Sequence, residues 1–443
     1  MQKSIRIIGG GLAGTEAAWQ LAERGVDVTL YEMRPVRTTD AHQSDRLAEL
    51  VCSNSLKSDQ RPSASWLLKE ELRRLGSLLL RAAAKARVPG GHALTVDRVG
   101  FAEEVTAAIE GHPRIEVRRE EVDGIDPQEP TIIATGPLTS DGLAQSIASL
   151  TGSGRLFFYD SISPIVDAHT IDRSVAFAAS RYDKSLDGTG DYLNCPMNKA
   201  EYEVFVDALL AAQEVESHIP NDTPFFEACL PVEEIARRGR DTLRFGPMKP
   251  MGLTDPRTGR RPWAAVQLRQ ENLRADSYNL VGFQNHLRFA EQKRVMRMIP
   301  GLENAEFLRF GQIHRNTYIN APALLDATLR LRTRPNIFFA GQISGVEGYV
   351  ESIATGLAAG MLAAAQLQGE PVRAFPRETA VGSLCHYISH AESKHYQPAN
   401  IAFDLFPLPE PNPKERAVRQ EAICERALGA LEEYLGVTAE ASR

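Results

Sequence analysis

The feature that most constrains the fold is a glycine-rich stretch near the N-terminus, where an apolar segment leads into three spaced glycines. Residues 4–8 fit a buried strand, and Gly9, Gly11 and Gly14 follow with the spacing G-x-G-x-x-G. The first glycine permits a tight turn, the second lets the backbone approach a pyrophosphate, and the third lets helix pack on strand. The helix N-terminus adds N–H groups and the positive end of a dipole. The stretch therefore predicts a nucleotide site.

An acidic residue at the end of the next strand completes this unit. Residues 26–31 form the second predicted strand, and Glu32 follows eighteen residues after Gly14, where a carboxylate can accept hydrogen bonds from a ribose diol. The glycine spacing alone is weak evidence, because any glycine-rich turn can show it, but the elements in register favour the nucleotide. The residues expected to bind this half of the cofactor are Gly9, Gly10, Gly11, Leu12, Ala13, Gly14, Glu32, Met33 and Arg34.

Length and composition indicate a soluble chain of two domains. Of the 443 residues, 43% are hydrophobic, and no charge-free apolar run is long enough to span a bilayer. The first residues lack the apolar segment of a signal peptide, so we expect a cytoplasmic protein without a membrane contact. The five cysteines show no C-x-x-C spacing, which indicates neither a disulfide framework nor a zinc site, and we predict no bound metal.

Alternating strand and helix patterns predict an α/β fold with a parallel, doubly wound sheet. One helix is predicted over residues 63–87, with Ser63 as its N-cap, and a strand over 131–136 follows later. Near the C-terminus a strand at 336–341 and a glycine loop precede an alanine-rich helix at 349–367, whose start can offer N–H groups to a second part of the cofactor. The residues added to the expected cofactor site are Ala134, Gly136, Gly341, Gln342, Gly345 and Gly348.

The character of the chain changes between residues 182 and 309. Turn-rich, antiparallel patterns dominate there, with one amphipathic helix predicted over 199–210. From residue 233 to residue 297, 14 Lys and Arg stand against 7 Asp and Glu, so this segment carries +7 and the remainder of the chain −14. We expect a Rossmann-like FAD-binding domain split into residues 1–181 and 310–443, with a smaller α+β domain inserted at 182–309 that faces the substrate.

Motifs spread over nearly the whole chain make a family resemblance specific. They are Ile8-Gly-Gly-Gly-Leu-Ala-Gly-Thr-Glu-Ala-Ala-Trp19, Leu50-Val-Cys-Ser-Asn-Ser-Leu56, Cys195-Pro-Met-Asn-Lys-Ala-Glu-Tyr202, Phe226-Glu-Ala-Cys-Leu-Pro231, Phe245-Gly-Pro-Met-Lys-Pro-Met-Gly-Leu253, Val281-Gly-Phe-Gln-Asn-His286 and Ala340-Gly-Gln-Ile-Ser-Gly-Val-Glu-Gly-Tyr349. The sequence resembles the bacterial folate- and FAD-dependent tRNA (uracil-5-)-methyltransferases of the TrmFO type. The resemblance implies that a one-carbon unit from 5,10-methylenetetrahydrofolate, reduced through FAD with NAD(P)H, becomes a methyl group on C5 of the T-loop uridine at tRNA position 54.

Such a reaction calls for a thiolate, because C5 of uracil is a poor nucleophile until a thiolate adds to C6 and forms an enolate. A lone cysteine is ordinarily a small buried hydrophobe, which is our interpretation of Cys195, Cys385 and Cys424. The family pattern singles out Cys52 and Cys229 instead. We assign Cys229, in the basic segment, to attack on C6, and Cys52 to the flavin side, as base for the C5 proton or as the group that manages the one-carbon unit.

The resemblance also implies contacts with folate and with the T-arm of tRNA. Beside Asn285, the ring of His286 can stack on a pterin held against the flavin, and the alternative is a hydrogen-bonding surface histidine. Trp263, Phe245 and Phe283 are available for stacking on bases. Each basic residue alone is an ordinary solvated charge, and the cluster carries the prediction of phosphate contacts. Its members are Lys249, Arg257, Arg260, Arg261, Arg269, Arg288 and Arg294.

Three alternatives remain open. A related FAD and folate enzyme modifies the wobble uridine of tRNA, but it has a long C-terminal helical extension, whereas only about seventy residues follow the last nucleotide-domain helix here. A flavin disulfide reductase needs a redox cysteine pair, and neither C-x-x-C nor C-x4-C spacing occurs. A non-catalytic, flavin-containing RNA-binding protein would not turn over reduced flavin with methylenetetrahydrofolate.

Overall fold

The computed structural model describes residues 4–39, 41–152, 156–161, 163–183, 190–215, 230–311 and 313–441. In these ranges the strands are β1 (Ser4–Ile8), β2 (Asp27–Tyr31), β3 (Ser55–Ser58), β4 (Arg87–Val88), β5 (Ala93–Val96), β6 (Ile115–Arg118), β7 (Thr131–Ile133), β8 (Leu156–Ser161), β9 (Ile165–Asp167), β10 (Phe177–Ala179), β11 (Tyr192–Met197), β12 (Ala264–Gln270), β13 (Ser277–Leu280), β14 (Phe307–Arg309), β15 (Ile313–Tyr318), β16 (Arg330–Leu331) and β17 (Arg334–Phe339). The helices are α1 (Leu12–Glu23), α2 (Ala64–Arg74), α3 (Leu78–Lys85), α4 (Arg98–Glu110), α5 (Asp141–Thr151), α6 (Lys199–Leu210), α7 (Val232–Arg237), α8 (Thr242–Phe245), α9 (Phe289–Met296), α10 (Ala321–Leu324), α11 (Tyr349–Gln368), α12 (Ala380–His390) and α13 (Arg416–Ala441).

A six-stranded sheet forms the nucleotide-binding domain, in the order β16–β17–β7–β1–β2–β6. The five strands from β17 to β6 run parallel, and β16 is antiparallel at the edge. Ile7 of β1 pairs with Leu30 of β2 and Ile132 of β7, and all three are fully buried, as strands covered on both faces require. The sheet confirms the predicted α/β fold, and β17 beside β7 joins the two separate parts of the sequence.

Helices α1 and α11 cross with their backbones in contact. A Cβ at Gly356 would lie 2.2 Å from the carbonyl oxygen of Ala13, and one at Gly360 would lie 2.7 Å from that of Ala17. Among the described residues, α11 is the one helix long and apolar enough to cross a membrane, but 78% of its apolar window is buried inside the protein. Its apolar character is therefore explained by its place in the core.

A second, antiparallel six-stranded sheet builds the inserted domain, in the order β10–β11–β12–β13–β9–β14. Helices α6 to α9 surround it, and its apolar core is separate from that of the nucleotide-binding domain. Strands β9 and β10 belong to this sheet, so the domain begins near Ile165 rather than at the predicted residue 182. Strands of three residues are too short to show an alternating pattern, which explains the misplaced boundary.

The helix predicted over residues 63–87 is divided into α2 and α3. Gly76 takes a left-handed conformation (φ 77°) between them, and the Ser77 hydroxyl accepts a hydrogen bond from the N–H of Leu80 to begin α3. The predicted cap at the first start is confirmed, because the Ser63 hydroxyl accepts from the N–H of Trp66 at 3.2 Å. Leucine periodicity runs through both helices and conceals the break.

Candidate functional site

The ends of β1, β2, β7 and β17 border a cavity of about 1000 Å³, which includes open solvent at its mouth. Ligands of parallel α/β sheets bind at this edge. The expected cofactor residues that line the cavity are Gly9, Gly10, Gly11, Leu12, Ala13, Glu32, Met33, Arg34, Ala134, Gly136, Gly341 and Gln342. Lining residues that the sequence analysis missed include Glu49, Thr135, Ser140, Tyr349 and Ser352. Only Thr135 and Tyr349 adjoin a glycine motif, which is the signal that was available to find them.

The glycine loop has the shape that a pyrophosphate needs. A Cβ at Gly11 would meet nothing within 4 Å, so its side of the loop is open to the cavity. Gly9 has a φ of 110°, and a Cβ there would lie 2.6 Å from the carbonyl oxygen of Ala134. A Cβ at Gly14 would lie 1.8 Å from the carbonyl oxygen of Gly9, so Gly14 serves the close packing of α1 rather than lining the cavity. No side chain caps the N-terminus of α1 at Gly11. The backbone N–H groups of this first turn are therefore available to bind an anion.

Glu32 is held ionised at the end of β2. Its Oε2 accepts from the N–H of Gly10 (3.0 Å), and its Oε1 accepts from the backbone N–H (3.0 Å) and Nε (2.8 Å) of Arg34. Burial alone would raise the pKa of Glu32, but the hydrogen bonds and charge of Arg34 lower it below its ordinary value. Arg34 is buried too and also contacts Glu49 at 3.2 Å. The Glu32 carboxylate has about four acceptor positions, and these three hydrogen bonds use three of them. One position on Oε2 is left for a ribose hydroxyl.

Besides Gly14, two of the expected cofactor residues lie outside the cavity lining, so three are outside it in all. A Cβ at Gly345 would lie 2.1 Å from the hydroxyl of Tyr396, so this glycine makes room for a tyrosine of the same domain. A Cβ at Gly348 would lie 2.2 Å from Glu351 and 2.7 Å from Nζ of Lys57. Both glycines are required by close protein packing, which glycine spacing alone cannot distinguish from ligand contact.

Cys52 lies at the rim of the cavity, in the loop between β2 and β3. Its backbone N–H donates to the hydroxyl of Tyr349 at 2.8 Å, and the N–H of Ser53 donates to the same hydroxyl at 2.9 Å. Its carbonyl accepts from Arg98 at 3.3 Å. Tyr349 and Val51 both line the cavity, so the backbone of Cys52 is held next to it. Cys52 itself is half-buried.

Arg269 is not an exposed RNA contact as predicted. It is 8% exposed on β12, where its Nε donates to Oδ1 of Asn54 and one terminal nitrogen donates to Oγ of Ser53, both at 2.8 Å. Asn54 is fully buried and donates back to the carbonyl of Gln270 at 2.8 Å. The arginine therefore joins the inserted domain to the loop of Cys52.

The remaining cysteines divide into two groups. Cys229 lies outside the described residues. Cys195, Cys385 and Cys424 are buried free thiols, and burial raises the pKa of each to about 12. These three fit the prediction of small buried hydrophobes.

The structure does not support the expected folate contacts of Asn285 and His286. The Asn285 amide is fully buried and donates to the carbonyl of Phe283 at 3.0 Å. The His286 ring is 7% exposed, with Nε2 2.7 Å from Glu214 and Nδ1 2.6 Å from Glu233, so both ring nitrogens contact carboxylates within the protein. Burial would lower the pKa of His286, but the two carboxylates raise it.

A potential metal cluster occurs beside this histidine. Ligand atoms of Glu214, Glu234 and His286 lie within 4.8 Å of one another. Arg237 forms ion pairs with both glutamates and so already balances their charge. This arrangement does not test the prediction that the protein binds no metal.

The expected RNA surface is only partly exposed. Phe245 is 81% exposed, whereas Phe283 is fully buried in the core of the inserted domain and is not available for stacking. The guanidinium of Arg244 lies 3.7 Å from the ring centre of Trp263, so one face of that ring is covered. The expected basic residues that are exposed are Lys249, Arg257, Arg260, Arg261, Arg288 and Arg294.

Two of these exposed arginines are paired within the protein. Arg257 contacts Asp255 at 2.9 Å, and Arg294 contacts Glu291 at 2.7 Å. Such pairs reduce the positive potential that each arginine offers to a phosphate. Among the residues that the structure describes, the exposed Lys249, Arg260 and Arg261 form no ion pair with a carboxylate, and they belong to the same turn-rich stretch as the exposed Phe245.

Comparison with known proteins identifies the family. The profile of the family described as Glucose inhibited division protein A matches residues 4–371. A protein of Solibacter usitatus named methylenetetrahydrofolate–tRNA-(uracil-5-)-methyltransferase TrmFO is 70% identical over 440 residues, covering 98% of this chain and 99% of that protein. The chain belongs to the TrmFO family. TrmFO proteins of Koribacter versatilis (63% identical, 99% of each chain) and Enterococcus faecalis (53%, covering 97% and 98%) agree, and the resemblance seen in the motifs is confirmed.

A solved structure supports the fold. GidA of Aquifex aeolicus superposes with a TM-score of 0.69 at 16% identity, and the match covers 98% of this chain and 74% of the GidA chain. At this identity the likeness shows the architecture alone. It agrees with the split nucleotide-binding domain described above.

Proposed function

We propose that this chain is an FAD-dependent enzyme that places a methyl group on C5 of the T-loop uridine of tRNA, position 54. The carbon donor is 5,10-methylenetetrahydrofolate and the reductant is NAD(P)H. One observation carries the proposal: Cys52 follows Val51, which lines the cavity at the glycine loop, in a chain 70% identical, over 98% of its length, to a protein named TrmFO. The names of the relatives favour an enzyme over a non-catalytic RNA-binding protein, and we expect it in the cytoplasm with its tRNA and folate substrates.

The cavity fits FAD by the chemistry of its lining. The open side of Gly11 and the uncapped start of α1 would hold the pyrophosphate, and the free acceptor position on Glu32 would hold the adenosine ribose. Gly341 and Gln342, after β17, would meet a second part of the cofactor. When bound, FAD passes reducing equivalents from NAD(P)H to the one-carbon unit.

The two thiols divide the uracil chemistry. The Cys229 thiolate adds to C6, which forms an S–C6 bond and makes C5 a nucleophile for the one-carbon unit. The Cys52 thiolate then takes the proton from C5, and the electron pair of that C–H bond expels the nitrogen that carried the one-carbon unit, which leaves an exocyclic methylene on the ring. A hydride that originates from NAD(P)H converts this methylene to the methyl group, and the electron pair released to the ring expels the Cys229 thiolate from C6. Cys52 suits a position beside the flavin, because its backbone is fixed by residues of the cavity rim.

The exposed side of the inserted domain is the surface we propose for tRNA. Lys249, Arg260 and Arg261 would neutralise phosphates, and Phe245, 81% exposed, would stack on a base. The exposure leaves the ring of Phe245 accessible to a base. The charge of the segment agrees with a polyanionic substrate.

Transfer of labelled carbon tests the proposal. Purified holoenzyme, tRNA, NADPH and methylene-labelled methylenetetrahydrofolate should yield labelled tRNA, and Cys52→Ala and Cys229→Ala should each abolish the label. Cys385→Ala is the matched control, because that thiol is buried away from the cavity, and it should keep transfer. Unlabelled tRNA with the wild-type holoenzyme would refute the proposed reaction.

Trapping with 5-fluorouracil-containing tRNA separates the two thiols. Fluorine at C5 blocks proton loss only after C6 has been attacked, so an adduct on a denaturing gel reports the nucleophile. Cys52→Ala should still trap RNA, and Cys229→Ala should not. The opposite pattern would exchange the two roles, and adducts in both variants would remove cysteine attack at these positions.

A further inference from the structure

Arg269 of the inserted domain binds the loop that carries Cys52. Arg269 uses two of its nitrogens on Ser53 and Asn54, the two residues that follow Cys52. Asn54 returns a bond to the carbonyl of Gln270, so the contact is reciprocal. The planar guanidinium presents its donors in a rigid fork, which fixes direction as well as distance. The position of the thiol therefore depends on the docking of one domain on the other.

Arginines from two elements contact this loop and place positive charge beside it. Arg98 from α4 donates to the carbonyl of Cys52 at 3.3 Å, and Arg269 from β12 donates to Ser53 and Asn54 at 2.8 Å. Arg98 is paired with Glu271, through a contact at 3.2 Å and a second shorter one. Neighbouring guanidinium groups favour a thiolate over a thiol.

The direct partners of Arg269 are neutral. Ser53 and Asn54 accept its hydrogen bonds without cancelling its charge, in contrast to the carboxylate on Arg98. Tyr349, on the other side of the loop, accepts two backbone N–H bonds, and burial raises the pKa of its phenol, so it adds no negative charge there. Arg269 thus supplies a fixed geometry together with a positive charge, which the nearby Glu271 carboxylate offsets only in part.

We propose that Arg269 is a positioning residue that holds the Cys52 loop across the domain junction and favours the Cys52 thiolate. The inference rests on the proposed role of Cys52 in methyl transfer. It replaces the predicted contact of Arg269 with RNA by a contact with the reactive loop. It also gives the inserted domain a part in the chemistry, beyond that of a surface for tRNA.

The pH profile of Cys52 alkylation tests this inference. Full-length holoenzyme is treated with iodoacetamide over a range of pH, and the peptide that contains Cys52 is quantified by mass spectrometry. Arg269→Ala should shift the midpoint of alkylation upward by about one pH unit, which slows alkylation near neutral pH by up to about tenfold. Arg269→Lys keeps the positive charge but lacks the forked guanidinium, so its alkylation midpoint should lie between those of wild type and Arg269→Ala. Arg274→Ala, which removes an arginine 84% exposed in the same domain, should leave the profile unchanged.

Two further measurements keep the inference open to refutation. Arg269→Ala should lower kcat for methyl transfer while flavin content and KM for tRNA stay as in wild type. Raised KM for tRNA with an unchanged alkylation profile would overturn the proposal and return Arg269 to the RNA surface. If Arg269→Ala loses its flavin, the alkylation profile of Ser53→Ala is measured instead. This change deletes only one acceptor of the arginine and should also move the midpoint of alkylation upward.

Failure of the proposed methyl transfer and failure of the proposed role of Arg269 give different results. If Cys52→Ala keeps full methyl transfer, the proposed role of Cys52 is wrong, while the alkylation profile still reports whether Arg269 governs the thiol. An unshifted profile in both Arg269→Ala and Ser53→Ala would refute the positioning role whatever the reaction.

Discussion

Gly11→Val should remove the flavin without unfolding the protein. Gly11 has a φ of −78°, which any residue can adopt, and a Cβ there would meet no atom within 4 Å. The chain without cofactor should therefore accept valine. Because Gly11 lines the cavity at the start of α1, the two methyl groups would occupy the space proposed for the pyrophosphate.

The expected loss follows from two effects. Overlap with the pyrophosphate costs about 1–3 kcal/mol, and one displaced hydrogen bond to a charged oxygen costs about 1.5–3 kcal/mol. Together they should raise the Kd of flavin by a factor between about 10² and 10⁴. Gly11→Ala, with a single methyl group, should show a smaller loss.

The assay is the amount of flavin released per chain, combined with the melting temperature of the cofactor-free protein. Gly124→Val is the matched control, because it adds the same side chain at an exposed glycine with open space around it. Gly11→Val that retains one flavin per chain at wild-type affinity would show that the pyrophosphate lies elsewhere. A large fall in the melting temperature of the cofactor-free variant would instead contradict the claim that this position is open.

Three further changes have defined outcomes. Gly14→Ala places a Cβ 1.8 Å from a backbone oxygen and should lower the stability by about 1–3 kcal/mol, seen as a lower melting temperature with or without flavin. Glu32→Gln should weaken flavin binding and remove an acid-sensitive contribution to stability. The arginine partner of Glu32 lowers the pKa of its carboxyl in the folded state, so this contribution is present above about pH 4 and lost below it, and thermal melts of wild type and variant should converge in acid. Arg260→Ala with Arg261→Ala should weaken tRNA binding and reduce its salt dependence by a slope of about 1–2, with flavin reduction unchanged, and equal salt slopes would move the RNA surface elsewhere.

Local patterns predicted most residues of the cavity lining, because these residues are adjacent in sequence. The glycines at 9 and 11 and the glutamate at 32 line the cavity, as the backbone needs of one turn and one strand end imply, whereas Gly14 packs α1, and their contacts with a cofactor stay a prediction. The glycines at 345 and 348 were predicted from the same kind of pattern, but they lie outside the cavity lining. A glycine that makes room for a tyrosine or a glutamate has the same sequence signal as one that makes room for a ligand.

Contacts between distant parts of the chain could not be predicted from the sequence. Arg269 belongs to a basic cluster in sequence, and only the fold shows that β12 turns it toward Asn54, 215 residues away. His286 is likewise flanked by residues that suggest an exposed loop, whereas its ring lies between Glu214 and Glu233. Charge and residue type identify a candidate, and tertiary packing decides whether it faces solvent.

The most direct test of the account is to map the methylated nucleotide. Unmodified tRNA is incubated with holoenzyme, NADPH and 5,10-methylenetetrahydrofolate, then digested, and its nucleosides and fragments are analysed by mass spectrometry. The account predicts one 5-methyluridine per tRNA, in the T-loop fragment, formed only when the folate is present. Modification of the wobble uridine, or a T-loop left as uridine under conditions in which the flavin turns over, would contradict it.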